Sequence, residues 1–333
     1  MSIKAIIPVA GAGVRLRPHT YTQPKPLIPV AGKPIISFTI DQLIAVGVED
    51  FVFVIGYLGE KIQNYIEREY PNLKKQFVKQ QVRKGSAHAI LTAKEALQGV
   101  EEAFIVFGDA ILEVDFQKFI DEPLSSVGVK KVTEPWSFGV VELSSDGLVK
   151  RMIEKPSIPK SDLAMVGLYK IKEVPALLEA VEYNIENKVI THGEYHLTDA
   201  LMRMVTKGVK FTPIHVNKWF DCAKKEVLLK TNAMLLDKEG FASSDLPHYE
   251  SSIIVHPVSI GKGCQISNSI IGPHVTIGEN ATINYSIVKE SIIGNYATIR
   301  DIVLQQSIVG SDAAIKGGRQ SLNIGDNTEI DFS

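Results

Sequence analysis

Cysteine is nearly missing from this chain: among 333 residues only Cys222 and Cys264 occur. They lie far apart and without metal-ligand spacing, so a disulfide framework and a cysteine-based metal module are excluded, and both read as reduced thiols. Long apolar runs are missing too, and nothing approaches the roughly 20 residues that a membrane-spanning helix requires. Met1 to Ala10 carries one lysine and an apolar stretch too short for a signal peptide, so a cytoplasmic location is expected. Neither sign of charge dominates. Lys and Arg number 36 against 38 Asp and Glu, for a net charge of −2, which argues against nucleic acid or an anionic membrane as partner. The length allows two domains and a large core.

What is present is concentrated at the start. An apolar strand, Ile3 to Val9, runs directly into GAGVRLRPHTYTQPKPL, Gly11 to Leu27. Gly11 and Gly13 allow a tight turn that brings backbone N–H groups close to an anion. Arg15 adds a planar fork for phosphate oxygens. Pro24 and Pro26 bracket Lys25, which places the lysine on an extended segment of restricted freedom. Together these describe a triphosphate site. A dinucleotide-binding turn would need a third glycine where Leu16 stands, and a P-loop would need Gly-Lys-Ser/Thr after the glycines; neither pattern is met.

Two patterns divide the chain. Up to about residue 240, strands alternate with helices: Ile3 to Val9, Phe51 to Ile55, Lys75 to Gln80 and Ala103 to Phe107 as strands, with Pro34 to Val46, Gly59 to Glu69 and Ser86 to Ala96 as helices between them. This is an α/β pattern with a mostly parallel sheet and helices on both faces. Ligands of such sheets lie outside the carboxyl ends of the strands, where Gly11 to Arg15 and Gly108-Asp109 would both emerge. From Tyr249 the period becomes six. Ile-Gly-x-x-small-x-Ile recurs at Ile260 to Ile266, Ile271 to Ile277, Ile277 to Ile283 and Ile293 to Ile299, at Val309 to Ile315, and weakly at Ile324 to Ile330. Such hexapeptides indicate a parallel β-helix of about four coils, whose open ends favour subunit contacts. The expected domains are 1–240, a linker at 241–250, and a β-helix over 251–333. A short solenoid without an evident acyl-carrier loop, despite His256 and His274, argues against an acyltransferase.

The N-terminal segment resembles the signature of the sugar-1-phosphate nucleotidyltransferases, G-G-x-G-T-R-L-x-P-x-T followed by Lys-Pro. The repeats resemble left-handed β-helix domains. The resemblance implies a Rossmann-like nucleotidyltransferase sheet and an enzyme that joins a nucleoside triphosphate to a sugar-1-phosphate with release of pyrophosphate, using Mg2+. By the same resemblance Arg15 holds the leaving pyrophosphate and Lys25 stabilises charge at the α-phosphate. Ala10, Gly11, Ala12 and Gly13 bind the nucleotide, and Asp109 (in FIVFGDAIL) and Asp221 (in KWFDCAKKE) bind the metal. Asp221 also has a plain reading as N-cap of a helix over Cys222 to Leu235, and Asp109 as a turn residue.

Glu154-Lys155-Pro156 resembles the motif that grips the sugar phosphate, with Lys155 on the phosphate and Glu154 on sugar hydroxyls. Gly139 and Gly167 would let those hydroxyls meet backbone groups. Glu194, His196 and Asp199 match a segment near the sugar, and His88 has an ordinary surface-helix reading. Gln80, with Gly85 five residues on, occupies the base-reading position of relatives that use uridine or thymidine triphosphates. A carboxamide offers donor and acceptor side by side, which fits uracil or thymine equally, and a flipped amide could serve cytosine. The expected reaction is therefore glucose-1-phosphate with dTTP or UTP. Alternatives are a mannose-1-phosphate guanylyltransferase and a catalytically silent regulatory subunit that binds nucleotide sugars. The expected partners are substrates and, through the β-helix, further copies of the chain. The chain departs from the pattern at Ala10, at Val14 where a hydroxyl is usual, and at Cys222 to Glu226, where T-G-T-P-E is common.

Overall fold

The structure is a computed structural model that describes residues 3–318; the weak repeat at Ile324 to Ile330 lies outside the described residues. By contact the chain forms two compact units, one of residues up to 29 with 33–228, the other of 30–32 with 229 onward. Residues 229–250, which the sequence pattern divides between catalytic domain and linker, thus cluster with the repeats.

The first unit is built on a nine-stranded sheet. Its strands are β1 (Lys4–Val9), β2 (Asp50–Ile55), β3 (Lys74–Lys79), β4 (Ala103–Val106), β6 (Ser125–Lys131), β7 (Val140–Leu143), β8 (Val149–Ile153), β9 (Leu163–Ile171) and β10 (Phe211–His215), while β5 (Ile111–Glu113) pairs separately with β11 (Lys218–Phe220). The main order is β8-β7-β9-β4-β1-β2-β3, with β6 beside β9 and β10 beside β6. The expected parallel core comprises β3, β2, β1 and β4. Beyond it β9 runs antiparallel to β4, β6 and β7.

Both faces of the core are covered, so the central strands are apolar throughout. On β1, Ile6 joins a cluster with Val52, Val54 and Ile105 beneath α3 (Ser86–Thr92), α5 (Val174–Glu186) and α6 (Leu197–Thr206). Ala5, Ile7 and Val9 join Phe51, Phe53 and Phe104 on the other face, against α1 (Ile35–Ala45), α2 (Gly59–Glu69) and α4 (Phe116–Asp121). Helix α3 stops at Thr92 rather than Ala96, and a 3-10 turn, Lys94–Leu97, follows. The chain places β2 and β3 on one side of β1 and then crosses to put β4 on the other. That reversal opens a crevice at the carboxyl ends of β1 and β4, the usual ligand position in such sheets.

The second unit contains three four-stranded parallel sheets whose strands follow one another in rotation, as in a left-handed β-helix. Ile266, Ile283, Ile299 and Ile315 stack in register along one sheet, and Ile254, Ile271, Val288 and Leu304 along another. The third, with Ile260, Ile277, Ile293 and Val309 in line, is covered by residues 229–243. There the Thr276 hydroxyl donates to Asn232 Oδ1 at 2.7 Å, and the Ile260 N–H donates to Ser243 Oγ at 3.0 Å. No helix among the described residues is long and apolar enough to cross a membrane.

Candidate active site

The loop after β1 is held from below. Gly13, at φ +59°, accepts at its carbonyl from the Leu16 N–H at 3.0 Å and the Thr20 hydroxyl at 2.9 Å. Leu16 is buried, so the residue that breaks a dinucleotide-type glycine pattern is the anchor of a different turn. A Cβ on Gly13 would press on Lys25 Cβ at 3.0 Å, whereas a Cβ on Gly11 would meet no protein atom within 4 Å. Among the described residues, no protein acceptor takes the N–H groups of Gly11, Ala12 or Gly13. Free, partly exposed amides on a tight loop are able to receive an anion.

Ala10, Gly11, Ala12 and Gly13 line a cavity of about 580 Å3, together with Lys25, Gln80, Gly85, Asp109 and Glu194. Arg83, Ser86 and Phe107 also line it; none of the three is a candidate from sequence, although Phe107 lies within FIVFGDAIL. Val14 contributes an exposed aliphatic side chain where a hydroxyl would be usual.

Lys25 is not on an extended segment. It opens a 3-10 turn, Lys25–Leu27, closed by the Leu27 N–H donating to the Pro24 carbonyl at 2.9 Å. The turn's hydrogen bond outweighs the pre-proline preference for extended backbone, and it turns the lysine inward. Only 5% of the side chain is exposed, with Nζ 2.9 Å from Asp109 Oδ2 and 3.4 Å from Asp221 Oδ1. Burial alone would lower its pKa, but the two carboxylates outweigh that and hold it above its ordinary value. At Asp109 desolvation acts upward, yet Lys25 and Arg15 keep the carboxyl below the usual range. Lys25 and Asp109 are thus both held in their charged forms at neutral pH.

Two adjacent strands bring the carboxylates together. Gly108 lets the end of β4 pass close to β1, since a Cβ there would sit 2.6 Å from Val9 Cγ1. The β5–β11 pairing sets Phe220 opposite Ile111, which carries Asp221 to the neighbourhood of Asp109. The helix after Asp221, α7 (Lys225–Leu236), begins later than the Cys222 start expected from sequence. The Asp221 carboxylate faces cations, with Arg15 Nη2 3.7 Å away. Arg15 itself is 61% exposed and free to reach a ligand.

Glu154, Lys155, Gly139 and Gly167 do not line the cavity; Glu154, Lys155 and Gly139 form a second cluster, while Gly167 packs on Phe107. The Thr198 hydroxyl donates to Glu154 Oε2 at 2.7 Å, His196 Nδ1 lies 3.7 Å from Glu154 Oε1, and Lys155 Nζ 3.9 Å. Gly139 fits because a Cβ would sit 2.9 Å from Glu154 Oε2 and 2.5 Å from Met165 Cε. Lys155 has φ +40°, a left-handed conformation uncommon outside glycine. The Gly167 carbonyl accepts from the Phe107 N–H at 2.9 Å, and a Cβ on Gly167 would sit 2.9 Å from the Phe107 ring. Gln80 is buried, and its amide nitrogen donates to the Gly85 carbonyl at 3.2 Å and meets His88 Nδ1 at 2.9 Å. The donor half of the expected base-reading pair is therefore already engaged.

Comparison with known proteins identifies the family of the chain. The family model described as nucleotidyl transferase matches residues 4–238. A glucose-1-phosphate thymidylyltransferase of Streptomyces griseus is 31% identical over 87% of this chain and 87% of its own length. The bifunctional protein GlmU of Methanocaldococcus jannaschii is 36% identical over 70% of this chain, which spans about half, 54%, of that relative. Among solved structures, a UDP-glucose pyrophosphorylase complexed with UDP-glucose superposes with a TM-score of 0.60 at 26% identity, covering 71% of this chain and 98% of its own. The loop of free amides, the buried Lys25 and its two carboxylates thus stand in a chain that belongs to the nucleotidyl transferase family, and the protein is a nucleotidyltransferase.

Proposed function

We propose that the acceptor is a sugar-1-phosphate, glucose-1-phosphate by default, and that the donor is dTTP or UTP. A phosphate oxygen of the sugar attacks the α-phosphorus, the bond from that phosphorus to the bridging oxygen breaks, and pyrophosphate leaves. The observation that carries this reading is Lys25, an almost fully buried ammonium on two carboxylates beside a loop of free backbone amides. Such an arrangement stabilises charge that develops at the α-phosphate without reorganisation during reaction. Arg15, exposed at the mouth, would take the pyrophosphate.

The donor set fits a magnesium ion. Asp109 and Asp221 both reach Lys25 Nζ and so lie near each other, and Mg2+ characteristically takes one or two carboxylates with phosphate oxygens and water. Bound there, it would neutralise phosphate charge. Glu154 and Lys155 would hold the sugar phosphate, with Glu194 at the cavity wall.

A second reading has one observation in its favour. With its amide nitrogen engaged, Gln80 offers the base an acceptor, and guanine's N1–H would satisfy that as well as the N3–H of uracil or thymine. GTP with mannose-1-phosphate therefore belongs in the same assay. Pyrophosphate release with Mg2+ is measured for each nucleoside triphosphate against glucose-, mannose-, galactose- and N-acetylglucosamine-1-phosphate. Turnover with dTTP or UTP and glucose-1-phosphate is expected; turnover only with GTP would favour the second reading, and none at all would overturn both.

In the second unit we propose self-association through the sheet whose outward row is Ile253, Ile270, Ile287 and Val303.

A further inference from the structure

Gln80 follows the end of β3, and His88 sits in the first turns of α3, eight residues on. The two partners of the Gln80 amide nitrogen are both fixed by backbone. The Gly85 carbonyl also accepts the Ala89 N–H at 3.1 Å. Gly85 itself, at φ +110°, packs so tightly on the Tyr195 backbone that a Cβ would collide with Tyr195 O. On either side, Tyr195 N–H donates to Lys84 O at 2.8 Å and Ala87 N–H to Tyr195 O at 2.9 Å.

A carbonyl can only accept, so the atom facing Gly85 must be the amide nitrogen rather than the amide oxygen. The second amide hydrogen then points at His88 Nδ1, 2.9 Å away, which must accept and so carry no proton. Both hydrogens of Nε2 are spent inside the protein. Among the described residues no protein donor reaches Oε1, and Gln80 lines the cavity.

We propose that His88 is a positioning residue that locks the Gln80 amide with its oxygen toward the base, so that the site selects bases with a ring N–H (uracil, thymine, guanine) against those with a bare ring nitrogen (cytosine, adenine). The selection follows from pairing: Oε1 accepts the N3–H of uracil, whereas the N3 lone pair of cytosine would face a second acceptor. Burial, with the Lys84 ammonium adding to it, lowers the His88 pKa, which keeps the ring neutral and Nδ1 available. The inference rests on the triphosphate reading of the cavity but not on turnover.

The test compares UTP with CTP, two pyrimidines of equal size that differ on this edge, by calorimetric binding to the full-length protein in Mg2+. UTP is expected to bind at least about tenfold more tightly than CTP, one well-formed buried hydrogen bond's difference. His88→Leu should weaken UTP about tenfold with CTP within about threefold, so that the preference collapses. His88→Asn, whose Oδ1 replaces the accepting Nδ1, should restore it. Where the pair turns over, the His88→Leu loss should fall on KM for UTP and leave kcat within about twofold. An unchanged preference in His88→Leu, or a wild-type protein that does not distinguish the two, would overturn the proposal. Should the leucine variant fail to fold, 15N spectra of the wild-type imidazole decide: a proton on Nε2 alone supports the lock, and a proton on Nδ1 overturns it. Selective UTP binding without turnover for any sugar phosphate would reject the transferase reading while leaving the lock intact.

Discussion

Lys25 Nζ donates to Asp109 Oδ2 at 2.9 Å across 84 residues of sequence. The lysine is buried, but 46% of the Asp109 side chain remains exposed, so the carboxylate has one side committed to the ammonium and another open to the cavity. Lys25→Met should lower kcat by about 10²-fold or more, the cost of removing one preorganised charge donor, with the KM for sugar phosphate little changed. Asp109→Asn should instead raise the Mg2+ concentration for half-activity at least about tenfold, since loss of even an outer partner of a metal site costs that much. Initial rates across a magnesium titration separate the two, and identical profiles would contradict separate roles.

Gly11 and Gly13 should respond differently to the same substitution. Gly11→Ala adds a methyl group that touches no protein atom, so the melting temperature should hold while the KM for nucleotide rises about tenfold through lost approach to the backbone amides. Gly13→Ala must take a left-handed conformation against Lys25 and Thr20, and should cost about 1–2 kcal/mol of stability. Thermal unfolding beside nucleotide kinetics checks the contrast.

Thr198 fixes Glu154 through the 2.7 Å hydrogen bond to Oε2. Thr198→Val keeps the volume and removes the donor, leaving the carboxylate free to rotate. The KM for sugar phosphate should rise about tenfold, and that for nucleotide should stay within about twofold. Equal changes in both would assign Thr198 to general packing.

The parts of the site that were legible in sequence are those that sit on one short segment with unusual composition. Gly11, Gly13 and Lys25 announce themselves through glycines and prolines, and Asp109 through its place at the end of a buried strand. The lysine's conformation is not legible, because two backbone hydrogen bonds, Leu27 N–H to Pro24 O and Ile28 N–H to Lys25 O, reverse the local proline preference. Thr198 and His88 escaped for another reason. Each acts on a residue, 44 and 8 positions away, that only the packing of separate elements brings within reach, and each is an ordinary helix residue by composition. In the β-helix the six-residue period makes the coils readable, whereas the cover over one sheet is tied down by Asn232 and Ser243, polar residues with no periodic signal.

Asp199 gives a pH-dependent prediction. Desolvation is the largest influence on its carboxyl and raises its pKa; a Thr191 hydrogen bond and His196 oppose this without cancelling it, and Oδ2 is buried without a partner. A carboxyl whose folded pKa is raised contributes stability that is complete below the unfolded value near 3.9 and is lost as pH rises through the folded value. Asp199→Asn has no such titration. The unfolding free energy of wild type minus that of the variant should therefore fall as pH is raised from about 4 toward neutrality. Urea melts across that range measure it; a constant difference would show that the carboxyl is not penalised.

The three faces of the β-helix differ in what they present. One is covered by residues 229–243. A second carries Gln265, Thr282 and Thr298 outward, with Ser267, Asn284 and Arg300 beside them, and suits water. The third stacks Ile253, Ile270, Ile287 and Val303 in register on its outer side, with Ile253 60% and Val303 67% exposed. An aliphatic row of this kind, uncovered among the described residues, is the surface on which the proposed self-association rests, and a row repeated coil after coil could match the same row on a second copy. Ile270→Glu with Ile287→Glu should reduce the mass seen by light scattering while circular dichroism stays native, because both side chains point away from the stacked core. Thr282→Glu on the polar face should leave the mass unchanged. If the double variant keeps the wild-type mass, self-association does not use this face.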